Sequence, residues 1–149
     1  MKADTDGDGY CDGLIAVEGI CEVGPDLFPT DPTDWADNDE DGIGDNADSD
    51  DDNDGLDDIV EDANGNGTVD EGETDPLDPD TDDDGVCDGP LAVEGVCTIG
   101  PDEFPTNATE WLDTDDDGIG NNADLDDDND GLNDTDEDVN SNGTVDEGE

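Results

Sequence analysis

The residues of this chain that could do chemistry are nearly all short acids set at regular intervals. Asp37, Asp39 and Asp41 stand two apart, Gly42 takes the sixth place, Asp45 the ninth and Asp48 the twelfth. The same ruler fits Asp50, Asp52, Asp54, Gly55, Asp58 and Glu61, and again Asp62, Asn64, Asn66, Gly67, Asp70 and Glu73. Alternate residues of a tight turn direct short carboxylates or amides inward, glycine at the sixth place permits the bend, and the seventh residue offers its carbonyl. An acid at the twelfth place closes the shell. This is the spacing of a twelve-residue calcium loop, which supplies the roughly six to eight oxygens that hard cation takes.

In a chain so rich in Asp and Asn the core D-x-[DN]-x-[DN]-G should arise about once by chance. It occurs eight times, opening residues 4–15, 37–48, 50–61, 62–73, 80–91, 113–124, 126–137 and 138–149. The remaining candidate ligands are Asp4, Asp6, Asp8 and Asp12; Asp80, Asp82, Asp84 and Asp88; Asp113, Asp115, Asp117, Asn121 and Asp124; Asp126, Asp128, Asp130, Asp134 and Glu137; and Asp138, Asn140, Asn142, Asp146 and Glu149. At least eight calcium ions are expected. Two loops break the ruler: their twelfth places are Ile15 and Leu91. Glu18 and Glu94 are the expected substitutes, with Asp26, Asp31, Asp51, Asp75, Asp78, Asp83, Asp102 and Asp127 as further or bridging ligands.

These loops are positioned by a long repeat. Residues 4–73 and 80–149 match without a gap at roughly 49 of 70 places, so the two units must fold alike. Residues 74–79 form a proline-containing joint, expected to be extended and stiff. Both ends lie almost in phase with the repeat and neither looks like a cap; Met1-Lys2-Ala3 does not read as a signal peptide, so a mature form or a piece of something longer is expected. Within each unit Cys11 and Cys21, or Cys87 and Cys97, stand ten apart, favouring two local disulfides formed in an oxidising compartment. The rival reading, four thiolates on a soft metal, lacks any His or CxxC spacing. A segment with Phe28 and Trp35, or Phe104 and Trp111, follows the second cysteine. A miniature apolar core is expected there, packed with Leu14, Ile15 and Val17, or Leu91 and Val93. Helical turns are expected at Thr33-Asp34-Trp35 and Thr109-Glu110-Trp111, where threonine would cap and an acid would follow.

Elsewhere no sustained periodicity of 3.6 or 2 survives, so the fold class expected is a mostly irregular, calcium-stabilised tandem-loop rod. Composition agrees. The formal charge is −52, only 28% of residues are apolar, and Lys2 is the one basic residue. Without cations such a chain belongs with disordered polyanions, because it cannot bury enough surface to offset its ordering entropy and self-repulsion. Sites with dissociation constants of about 10⁻⁴ to 10⁻³ M fill in extracellular calcium and stay empty in cytosolic calcium. An extracellular or cell-surface location is therefore expected. Nucleic acid and anionic membranes are repelled, and no stretch is apolar enough to insert in a bilayer. With no His, no Arg and two serines lacking a base, no nucleophile can be assembled and no enzyme is expected.

At DNDEDGIGDNADSDDDNDGLDD and DTDDDGIGNNADLDDDNDGLND the chain resembles thrombospondin type 3 repeats, particularly those of bacterial and marine-microbial surface proteins. The third consecutive loop of each unit, DANGNGTVDEGE and DVNSNGTVDEGE, also resembles EF-hand and dockerin loops, though Glu61 directly precedes Asp62 and leaves no room for a flanking helix. The resemblance implies an elongated, calcium-wrapped rod whose loops stack and share ions. Ala47 and Ala123 stand where the animal family usually has Cys, so its disulfide ladder does not carry over. Three functions are expected in order. The first is a calcium-rigidified rod that spaces a surface protein or propagates end to end as a fibre, through self-association or continuation in a longer array. The second is an adhesion module that holds glycan or a partner protein through calcium and the Trp loops. The third is an acidic calcium-storage or mineral-directing protein.

Overall fold

In a computed structural model, which describes residues 2–98 and 100–137, the chain is mostly irregular. It divides into two units, Met1–Pro79 and Asp80–Glu149. Among the described residues the regular elements are two single helical turns, α1 (Asp58–Glu61) and α2 (Asp134–Glu137), and two isolated bridges, Tyr10 to Val23 and Val17 to Cys21. Each helical turn spans the ninth to twelfth places of a loop, where the acids that close the shell begin a new turn. The loop 138–149, with Asp138, Asn140, Asn142, Asp146 and Glu149, lies outside the described residues.

A single local geometry builds the seven described loops. The sixth-place N–H donates to the first-place carboxylate each time: Gly9 to Asp4 at 3.3 Å, Gly42 to Asp37 at 3.1 Å, Gly55 to Asp50 at 3.2 Å and Gly67 to Asp62 at 2.6 Å. In the second unit Gly85 to Asp80 is 2.9 Å, Gly118 to Asp113 2.8 Å and Gly131 to Asp126 3.0 Å. The sixth-place glycines hold φ between 69° and 105°, a range L side chains rarely adopt, so glycine is required there. The fourth place is left-handed too, and the five non-glycine residues at positive φ among the described residues all stand on it: Glu40, Asn53, Asp83, Asp116 and Asn129. Loops are closed at the base by the ninth-place N–H, which donates to the carbonyl just before the loop: Asp12 to Ala3, Asp45 to Ala36, Asp58 to Ser49, Asn121 to Leu112 and Asp134 to Leu125, all at 2.9 to 3.1 Å.

The cysteines pair locally, Cys11 with Cys21 and Cys87 with Cys97, each with Cα atoms 5.2 Å apart. All four are buried, and among the described residues Pro79 is the one other buried apolar side chain. The expected apolar mini-core is absent. Leu14 and Ile15 are 83% and 80% exposed, and Val17 and Leu91 also face solvent. A ten-residue disulfide loop is too short to fold its own side chains back over the bridge, and so few apolar groups gain little from clustering. Trp35 instead stacks on Tyr10, ring centroids 4.4 Å apart and 6° from parallel. Val86 replaces Tyr10 in the second unit, and Trp111 is 44% exposed there.

The expected helical turns at residues 33–35 and 109–111 do not form. Asp31 takes the Thr33 hydroxyl at 2.7 Å and its N–H at 3.2 Å, and Asn107 takes the Thr109 hydroxyl at 2.9 Å, so neither threonine caps a helix. The acids that follow turn inward. Buried Asp34 lies against Gly44 and accepts the Asn46 N–H at 3.4 Å, while Asn46 Nδ2 donates to the Thr33 carbonyl at 2.9 Å. Glu110 does the same beside Gly120, accepting the Asn122 N–H at 2.9 Å. These clamps fasten the tryptophan segment to the following acidic loop. A Cβ on Gly44 would overlap the Asp34 carboxylate, so Gly44→Ala is expected to destabilise the ion-loaded first unit by about 1–3 kcal/mol. Asp34→Ala should recover part of that loss in the double variant, and thermal melts of the four proteins of the cycle measure it.

The joint is not extended. Asp78 N–H donates to the Asp75 carbonyl at 2.9 Å, and the buried Thr74 hydroxyl donates to Glu61 Oε1 at 3.0 Å. Pro76 permits the turn because its missing N–H is not needed in it.

Candidate metal centres

Asp4, Asp6 and Asp8 bring carboxylate oxygens within 4.8 Å of one another, as do Asp37, Asp39 and Asp41, Asp50, Asp52 and Asp54, and Asp80, Asp82 and Asp84. Repulsion alone would scatter such triplets. They are held because one oxygen of each acid accepts a backbone N–H. The third-place acid takes the fifth-place N–H, as in Asp41 to Asp39 at 2.8 Å and Asp54 to Asp52 at 3.1 Å. The fifth-place acid takes the seventh-place N–H, as in Ile43 to Asp41 at 2.7 Å and Leu56 to Asp54 at 2.8 Å. The other oxygens point inward. Asp6 Oδ2, Asp8 Oδ2, Asp37 Oδ1, Asp50 Oδ1, Asp52 Oδ2, Asp82 Oδ2 and Asp84 Oδ2 are buried without a hydrogen-bond partner.

A buried, unpaired carboxylate oxygen is costly unless a cation meets it. Several such oxygens converging in one loop fit a hard divalent ion. With all four cysteines in disulfides, no thiolate remains for a softer metal.

Asp113, Asp115 and Asp117, and Asp126, Asp128 and Asp130, repeat the same turns: Asp117 N–H donates to Asp115 at 2.9 Å and Asp130 N–H to Asp128 at 3.2 Å. Consecutive loops are also tied together, since Asn53 Nδ2 donates to Asp39 and Asn129 Nδ2 to Asp115. The ninth-place side chains serve as struts, each accepting the second-place N–H: Asp45 from Asn38 at 2.8 Å, Asp58 from Asp51 at 3.0 Å, Asn121 from Thr114 at 2.9 Å and Asp134 from Asp127 at 2.9 Å. The twelfth-place acids are less uniform. Glu61 is buried, whereas Asp48 and Asp124 turn back to accept the N–H groups of the two residues after them.

Loop 62–73 is arranged differently. Asn64 Nδ2 donates to Asp70 at 3.1 Å and Glu73 at 2.8 Å, and Asn66 Nδ2 donates to Asp70 at 2.8 Å. Here amide N–H groups meet the acids that a cation would otherwise draw together. A half-turn of each amide brings its oxygen to the same place.

The electrostatics follow the burial. Asp52 is pushed up to about 8, first by burial and then by Asp54, Glu61 and Asp50. Asp51 reaches about 7 through burial and the charges of Asp58, Asp45, Asp48 and Asp39, which sets it between its own loop and the one before. Asp127, its counterpart, is raised by burial and by Asp134, Asp124, Asp115 and Asp128. Asp39, Asp50, Asp82 and Asp115 are also raised, each chiefly by burial.

The expected substitutes Glu18 and Glu94 are both exposed on the disulfide loop. The acids that do face the first loop of each unit are Asp26 and Asp102. Asp26 is raised by burial and then by Asp6, Asp8 and Asp12, and Asp102 reaches about 6 through burial and then Asp84, Asp82 and Asp80. Each follows a Gly-Pro pair and is identical in the two units, the one signal by which the sequence marks it out.

No protein-family model matches the chain, and no similar curated protein is found. Its own geometry defines a class: a mostly irregular, disulfide-tied protein whose acidic loops can hold metal ions. No helix among the described residues is long and apolar enough to cross a membrane.

Proposed function

We propose that the chain is an extracellular calcium-binding structural element of the thrombospondin type 3 kind, in which calcium takes the place of an apolar core. The observation that carries this reading is the set of buried, unpartnered carboxylate oxygens that gather in loops 4–15, 50–61 and 80–91, with one more at Asp37. Asp4, Asp6 and Asp8 and their counterparts supply the monodentate oxygens, the seventh-place carbonyl adds another, and Glu61 is the buried closing acid of its loop. Calcium supplies the positive charge that this chain lacks. Eight ions would neutralise less than a third of the formal −52, so bridging sites at Asp51 and Asp127 would add to the count.

Ion-filled loops tied to one another by Asn53 and Asn129 support a stiff unit, and a 70-residue unit repeated without a gap in its alignment supports an array of such units, as a spacer or a fibre. The disulfides favour an oxidising compartment. The adhesion alternative asks for both indoles to be free to bind, and Trp35 is covered on one face by Tyr10. Electron microscopy of the chain in millimolar calcium and after chelation tests the proposal. Extended particles or filaments that are lost with chelator are expected; compact particles indifferent to chelation would remove it.

A further inference from the structure

The first loop of each unit lacks the twelfth-place acid its siblings carry. Its twelfth place is apolar and exposed, Ile15 or Leu91. Its ninth-place acid is a strut as in the siblings and takes the second-place hydroxyl as well: Asp12 accepts the Thr5 N–H at 2.8 Å on one oxygen and the Thr5 hydroxyl at 2.6 Å on the other, and Asp88 accepts the Thr81 N–H on both oxygens and the Thr81 hydroxyl at 2.6 Å. Asp4, Asp6 and Asp8 with the Tyr10 carbonyl would still leave a calcium ion short of the roughly six to eight oxygens it takes.

A side chain from outside the loop meets this shortage in both units. Asp26 is 4% exposed and Asp102 7% exposed. Their backbone N–H groups donate to the Cys11 and Cys87 carbonyls, each at 2.8 Å, which fixes them beside the disulfide at the base of the loop. One oxygen of each accepts an N–H two residues on, from Phe28 at 2.7 Å or Phe104 at 2.6 Å. The second oxygen, Oδ2, is buried with no partner, and so are Oδ2 of Asp6 and Asp8 and Oδ2 of Asp82 and Asp84. The acids whose charge each one feels are those of the first loop. The second unit contains no basic residue to answer this convergence, and in the first the one base of the chain is Lys2.

We propose that Asp26 and Asp102 are the closing ligands of the first-loop ions, so that each ion ties its acidic loop to the segment beyond the second cysteine. This rests on the calcium reading above. The ion and the disulfide then cross-link the same two stretches of chain, and Phe28 with Trp35, or Phe104 with Trp111, is positioned by a metal ligand in place of an apolar core.

The test uses the full chain with its disulfides intact. Ions are counted by native mass spectrometry in calcium, and affinities measured by calorimetry, for wild type, Asp26→Asn with Asp102→Asn, and Glu18→Gln with Glu94→Gln. Asparagine keeps the shape and can still accept the Phe28 or Phe104 N–H, and an intact Cys11–Cys21 bridge with an unchanged circular dichroism spectrum in calcium checks the fold. The Asp pair is expected to lose two ions, or to bind them roughly tenfold or more weakly, with the other sites filled; the Glu pair should match wild type. A charge-preserving Asp26→Glu variant should retain more affinity than Asp26→Asn. An Asp pair that binds as wild type does, beside an ion-filled wild type, overturns this assignment alone. A wild-type chain that takes up no calcium sinks the parent reading with it.

Discussion

Chelation is expected to remove nearly all ordered backbone from both units. Among the described residues the buried apolar side chains are the four cysteines and Pro79, and Leu14, Ile15, Leu125 and Ile59 are each more than two-thirds exposed. Hydrophobic burial therefore offers little to offset an ordering entropy of about 1–2 kcal/mol per residue. Local hydrogen bonds such as Gly42 to Asp37 join groups that water serves nearly as well, and each nets only about 1 kcal/mol. The buried carboxylates oppose the fold until a cation meets them. Hydrogen exchange followed by mass spectrometry measures the effect. In millimolar calcium the sixth-place amides of Gly42, Gly55, Gly85, Gly118 and Gly131 should exchange slowly, and excess EDTA should bring them near the rate of an unstructured chain. Protection should survive longest between Cys11 and Cys21, where the covalent loop limits the unfolded state. An EDTA-treated chain that kept its protection would mean that something other than metal holds these turns.

What the sequence revealed and what it hid divide by range. The twelve-residue ruler was legible because a loop is local: the first-place acid, the sixth-place glycine and the fifth-place acid find one another within a single turn. The disulfides were legible for the same reason. The Thr33 helix start was misread because Asp31, two residues earlier, competes for the threonine, and because Asp34 has a partner in Gly44 on the next loop. No periodicity announces such a contact, though an acid at both positions 34 and 110 was a trace of it. The apolar mini-core failed on number: a handful of aliphatic side chains on a ten-residue loop gains less by clustering than the loop loses in freedom. The sequence offers Glu18, inside the disulfide loop, as the closing acid and Asp26 as a further or bridging ligand, yet the bond from Asp26 N–H to the Cys11 carbonyl fixes a buried carboxylate that feels the charges of Asp6 and Asp8.

Acidification is expected to empty the central loop 50–61 well above the usual carboxylate range. Both Asp52, at about 8, and Asp51, at about 7, stand far above the 3.8 of a free aspartate, chiefly because burial penalises the charge. The two states of the protein respond with opposite sign. In the ion-free fold these acids hold protons more tightly than the unfolded chain does, so their contribution favours that fold below about pH 4 and is lost as pH rises through 7 and 8. Calcium needs them ionised, so a bound ion must displace the protons. For a single competing proton at Asp52, lowering the pH from 8 to 6 weakens calcium binding on the order of fifty-fold, and at Asp51 about tenfold. Calcium binding near pH 7 should release on the order of one proton from this loop. Calorimetry in two buffers of different ionisation enthalpy at pH 6, 7 and 8 reads both quantities. Affinity flat across that range, with no protons released, would show that Asp51 and Asp52 are already ionised before calcium arrives and that their burial is not what the cation relieves.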